Sequence, residues 1–99
     1  RESDTVGRIG GDEFLVLLNG IPLRQQALLV AEKIRVSLAR PFDLAGHRVH
    51  VSPSIGIALY PDHSGDGKQL IRYADEAMYD AKKRGGNRVQ LTSRTRLPE

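Results

Sequence analysis

The chain has 99 residues, 39% hydrophobic and 27% charged, a balance that fits one soluble globular domain and excludes collagen-like, fibrous and disordered classes. No cysteine is present, so disulfides and thiolate metal sites are unavailable, and no apolar run approaches bilayer length; this suits a reducing, cytoplasmic compartment, with any membrane anchor outside these residues. Fifteen basic against twelve acidic residues give a net charge of +3, a modest excess that does not mark an electrostatic binder of nucleic acid.

Thr5-Val6-Gly7-Arg8-Ile9 reads as a short strand and Phe14-Leu15-Val16-Leu17-Leu18 as a second, with Gly10-Gly11 between them. Two glycines there predict a β-hairpin with a type I′ turn, because that turn needs positive φ at both central residues. The second strand is apolar on both faces, which places it inside a sheet. From Pro22 to Ala39 the period changes: Ala27, Leu28, Ala31, Ile34 and Leu38 fall near one helical face. Phe42 to Tyr60 returns to strand character, with a turn at Gly46 and a break at Pro53, which cannot donate to a ladder. Ser54, Gly56 and Ala58 alternate with Ile55, Ile57 and Leu59, so the small-residue face is expected to lie close under a helix. Leu70, Ile71, Ala74, Ala77, Met78 and Ala81 recur at helical spacing until Gly85-Gly86, and Arg88 to Leu91 completes the set as a strand. The predicted class is α+β, with helices packed on a largely antiparallel sheet. Residues 93–99 read as a linker or C-terminal tail.

Two features carry chemistry. Asp12 and Glu13 follow bare glycine backbone, where a hard cation and a phosphate can both approach; taken alone, the pattern also describes a solvated hairpin. Lys82, Lys83, Arg84, Arg88, Arg94 and Arg96 crowd the end, opposed there only by Glu99. They make either a solvated tail or an anion site, phosphate being a better fit than nucleic acid because aromatics are few. His47, His50 and His63 lack metal-ligand spacing and are expected at the surface or in loops.

Arg8-Ile9-Gly10-Gly11-Asp12-Glu13-Phe14, Ser54-Ile55-Gly56-Ile57-Ala58 and Ala74-Asp75-Glu76-Ala77-Met78-Tyr79-Asp80-Ala81-Lys82, followed by Gly85 and Asn87-Arg88, occur in the order and approximate spacing of the GGDEF family. The chain resembles that family of diguanylate cyclases over residues 1–92. The resemblance implies a fold like the polymerase palm and the nucleotide cyclases. It also implies a reaction in which two GTP molecules, held by two domains meeting face to face as a homodimer, become cyclic di-GMP and pyrophosphate. Asp12 and Glu13 would be catalytic and would hold Mg²⁺ or Mn²⁺. Gly10 and Gly11 would let the nucleotide lie against the backbone, and Lys82 would contact phosphate. Arg1 and Asp4 match the family's product-inhibition motif, with Lys33 as a further contact to bound cyclic di-GMP. The Phe42 to Tyr60 stretch looks most like members with a downstream phosphodiesterase domain.

The match departs in two places. Gly86 stands where the family often has an arginine, although Arg84 or Arg88 could serve. The family's first strand, with a metal-sharing aspartate, and the helices that read guanine would precede Arg1. Because that strand lies mid-sheet in the family, residues 1–99 alone are expected to be marginally stable or to fill the gap by rearrangement, strand exchange or dimerisation, and to turn over GTP weakly or not at all. The alternative reading is a degenerate GGDEF module that binds GTP or cyclic di-GMP and regulates an attached domain.

Overall fold

The structure is a computed structural model that describes residues 5–19, 24–60 and 63–94. In chain order the elements are β1 (Thr5–Arg8), β2 (Glu13–Asn19), α1 (Arg24–Ala39), β3 (Phe42–Leu44), β4 (His47–Val49), β5 (Ser54–Tyr60), α2 (Gly67–Lys83) and β6 (Arg88–Leu91). Strands β1, β2, β5 and β6 form one sheet in that spatial order, and β3 with β4 forms a separate two-stranded ribbon.

Alternation along the strands sorts side chains to the two faces. Phe14, Val16 and Leu18 of β2 join Ile55, Ile57 and Leu59 of β5 in one core, covered by Ala27 and Ala31 of α1. Leu15 and Ala58 face the other way and pack with Leu70, Ala74 and Met78 of α2. Each face of the sheet thus carries one helix, and β2 is the buried interior strand its composition predicts. The small-residue face of β5 explains how near α2 comes: a Cβ built on Gly56 would lie 1.8 Å from the Ala74 carbonyl oxygen. Only a residue without a side chain permits that approach.

The α+β class is as expected, but the sheet is mixed rather than largely antiparallel. β1 and β2 are antiparallel, whereas β2 pairs with β5, and β5 with β6, in parallel. Each parallel pair is joined by a connection that contains a helix and returns the chain to its starting edge, and strands so connected run in the same direction. β2 and β5 pair directly over seven residues, from Glu13 opposite Ser54 to Asn19 opposite Tyr60. The described strands therefore form one continuous sheet in which β2 and β5 are direct neighbours.

The expected turn at Gly46 and break at Pro53 are both present. Ala45 and Gly46 have positive φ, 52° and 83°, as a tight hairpin turn requires. The chain leaves strand geometry at residues 50–53, before Ser54 begins β5. The first helix covers Arg24–Ala39, and the predicted start at Pro22 lies outside the described residues. Asp66 caps α2, its carboxylate accepting from Lys68 N at 3.0 Å. At the other end, Gly86 N donates to Ala81 O and Gly85 N to Lys82 O, with both glycines at positive φ, which is why this helix stops in two glycines.

Candidate functional site

The glycine motif sits in a wider loop than a two-residue turn. The β1–β2 ladder ends at Arg8 opposite Phe14, which leaves residues 9–13 to make the connection. Ile9 N and Gly10 N both donate to Glu13 O, at 2.8 and 3.4 Å. Neither Gly10 nor Gly11 has positive φ, so the type I′ expectation does not hold. The value of glycine at position 10 lies elsewhere: a Cβ there would fall 2.4 Å from Glu13 Oε1, and its absence lets the carboxylate fold against bare backbone. Arg8 secures the loop from below, donating from Nε to Gly10 O at 3.0 Å and from Nη2 to Gly11 O at 3.2 Å. Across the sheet, Ser54 N donates to Asp12 O at 2.7 Å, which ties the acidic pair to the start of β5.

Lys82 reaches this loop from the last turn of α2. Its Nζ donates to Glu13 Oε2 at 2.8 Å and to Asp12 Oδ1 at 3.4 Å. The structure thus brings together five of the residues singled out by sequence: Gly10, Gly11, Asp12, Glu13 and Lys82. The hydrogen bond to Glu13 raises the lysine pKa above its ordinary value, desolvation opposes that rise, and the bond to Asp12 adds to it. All three side chains remain accessible, at 37% for Lys82, 46% for Asp12 and 23% for Glu13. The cluster is therefore open to an incoming ligand.

A hard divalent cation fits these donors. Two carboxylates supply oxygen ligands, and the cradle at Gly10 keeps Glu13 within reach of the backbone. Among the described residues no group of three or more His, Cys, Asp or Glu side chains could hold a metal, so the pair offers part of a coordination shell.

Next to the pair lies a feature that the motif did not reveal. The Ser54 hydroxyl is fully buried without a hydrogen-bond partner, and a Cβ on Gly86 would come within 3.2 Å of it. Arg88 folds back onto this turn, its Nε donating to Gly86 O at 3.3 Å. Asn87 is held from the opposite face of the sheet, accepting from Arg35 Nη1 of α1 at 2.9 Å. Arg8 is the other residue given no role by sequence. Its position at the end of β1, two and three residues before the carbonyls it binds, was the available signal.

The remaining sequence candidates lie elsewhere. Lys33 is exposed on α1. Arg1 and Asp4 fall outside the described residues. His47 and His50 are exposed and His63 lies outside the helices and strands, as expected, although His63 is also buried, its Nδ1 accepting from Leu59 N at 2.9 Å. The start of the expected tail is anchored, with Arg94 gripping both carboxylate oxygens of Glu76 at 3.0 and 3.2 Å and lying over the Tyr73 ring.

A family profile described as "Diguanylate cyclase, GGDEF domain" matches residues 1–88. The chain belongs to the GGDEF domain family. It is 47% identical over 92 residues to the diguanylate cyclase TpbB of Pseudomonas aeruginosa, covering 90% of this chain and 21% of that protein. It is 46% identical over 86 residues to the cyclic di-GMP phosphodiesterase PdeR of Escherichia coli, covering 85% of this chain and 13% of that protein. Among solved structures, an EAL/GGDEF domain protein from M. capsulatus superposes with a TM-score of 0.74 at 45% identity, over 94% of this chain and 60% of that one. The fold is accordingly the palm-like fold of GGDEF domains, and the chain spans about a fifth or less of these two curated relatives.

Proposed function

We propose that these residues form part of a diguanylate cyclase domain acting on GTP. The observation that carries this reading is the meeting of Asp12, Glu13 and Lys82 at a loop where Gly11 leaves open space beside the backbone. In the reaction, the 3′-hydroxyl oxygen of each GTP bonds to the α-phosphorus of the other. The α–β phosphoanhydride bond breaks, pyrophosphate leaves with the bonding electrons, and the hydroxyl proton passes to a base. Asp12 and Glu13 would hold Mg²⁺ or Mn²⁺, which when bound offsets the charge that develops on the phosphoryl oxygens. Asp12 is also the candidate acceptor for the hydroxyl proton, and the Lys82 ammonium supplies a compact positive charge for a phosphate. Two such domains, each with one GTP, complete the reaction as a homodimer. Cyclic di-GMP would return to Arg1, Asp4 and Lys33 as an inhibitor.

A second reading is a GTP- or cyclic di-GMP-binding module that regulates an attached phosphodiesterase. Gly86 favours it, because the turn there is occupied by a residue with no phosphate-binding side chain, held at a φ of 71°; the similarity to a protein named as a phosphodiesterase agrees. The Asp12→Asn variant, made in the complete protein, separates the two. Incubation with GTP and Mg²⁺, with cyclic di-GMP quantified by chromatography, is expected to show product from the parent and a loss of at least about 100-fold in the variant. A parent that makes no product, while GTP still changes the activity of the attached domain, would establish the binding module instead.

A further inference from the structure

The position of the Lys82 ammonium has a consequence for how the site is loaded. Nζ sits between the two carboxylates and contacts one oxygen of each, Asp12 Oδ1 at 3.4 Å and Glu13 Oε2 at 2.8 Å. These are the hard oxygens that a divalent cation would need. A cation placed against them would meet a positive charge already seated there, so it must either displace the ammonium or bind against its repulsion. Displacement is easy in mechanical terms, since Lys82 lies on the last turn of α2 with its side chain 37% accessible. It is costly in electrostatic terms unless the displaced charge finds another anion nearby. A polyphosphate supplies that anion.

We propose that the Lys82 ammonium is an internal counter-ion, which keeps the Asp12–Glu13 pair closed to a divalent cation arriving alone and releases it when a polyphosphate takes over the lysine. The inference rests on the reading of Asp12 and Glu13 as cation ligands and extends it to the order of loading. Cation and polyphosphate then enter together, because each removes the obstacle to the other. Lys82 consequently has opposite effects on the two ligands, weakening binding of the bare cation while strengthening that of the phosphate.

The test is titration of the complete protein, not the isolated residues 1–99, with Mn²⁺ alone, following the free-ion signal by electron paramagnetic resonance. Lys82→Met removes the charge, Lys82→Arg keeps it, and Asp12→Asn removes a ligand. Lys82→Met is expected to bind Mn²⁺ about two- to fivefold more tightly than the parent, the scale set by partly exposed ion pairs, with Lys82→Arg close to the parent. Lys82→Gln provides the same charge removal should the methionine variant aggregate. Equal or weaker Mn²⁺ binding in the charge-removed variants, with Asp12→Asn still abolishing it, overturns the counter-ion role and leaves the cation site standing. Absence of Mn²⁺ binding from the parent and from the charge-removed variants alike overturns both.

Discussion

Helices α1 and α2 cover opposite faces of the same sheet and are nearly equal in length, at 16 and 17 residues, yet they hold it differently. α2 buries Leu70, Ala74, Ala77, Met78 and Ala81, lies against the backbone of β5 at Gly56, and is capped at both ends. α1 fully buries only Ala27 and Ala31, and leaves Leu28, Leu29 and Val36 substantially exposed. The difference shows where the fold invests its order. The helix that carries Lys82 is fixed to within van der Waals contact of the sheet, so the ammonium is delivered to the acidic pair by packing rather than by a flexible segment. The helix on the other face bears no residue of the Asp12–Glu13–Lys82 cluster and is held more loosely, as elements of lower local stability are.

Substitutions can break this contrast or sharpen it. The largest effect is expected from Gly56→Ala, because the new methyl would overlap the Ala74 carbonyl and drive α2 off the sheet. A loss of about 3 kcal/mol or more should lower the melting temperature by over about 10 °C. An unchanged transition would mean that α2 does not sit where it is described. Asp66→Ala removes the N-cap of α2 and should cost about 1 kcal/mol, read as a shift of the urea midpoint at constant slope. On the opposite face, Leu29→Ala trims a side chain that is 64% exposed and should change stability by less than about 0.5 kcal/mol in the same assay. A loss as large as that of the cap variant would show that the outer face of α1 is covered in solution.

Much of this arrangement was legible in the sequence because it is local. The spacing of Leu70, Ala74, Ala77, Met78 and Ala81 marks the buried face of α2, and the alternation of Ser54, Gly56 and Ala58 announces a helix close above β5. Strand direction was missed although the predicted order held the signal, since the helices predicted before Ile55 and before Arg88 are crossover connections of the kind that join parallel strands. The glycine pair was read for the wrong property: its conformational freedom suggested a tight turn, whereas Gly10 is used for the space its missing Cβ leaves to Glu13. His63 is the loop residue the sequence suggested, but nothing in its spacing told of a ring nitrogen accepting from Leu59 N. The partnership of Lys82 with Asp12 and Glu13 joins residues about 70 positions apart. Family resemblance put all three in one site, but only their coordinates show the ammonium between the two carboxylates.

The β2–β5 ladder, which joins residues 13–19 to residues 54–60, also sets the order in which the molecule can assemble. The β1–β2 and β3–β4 hairpins close over a few residues and are expected within microseconds. The parallel ladder requires the whole intervening chain to be gathered first, at the entropic cost of a long loop. Refolding is therefore expected to be limited by that pairing, and the acidic pair meets its lysine only after the slow step is complete.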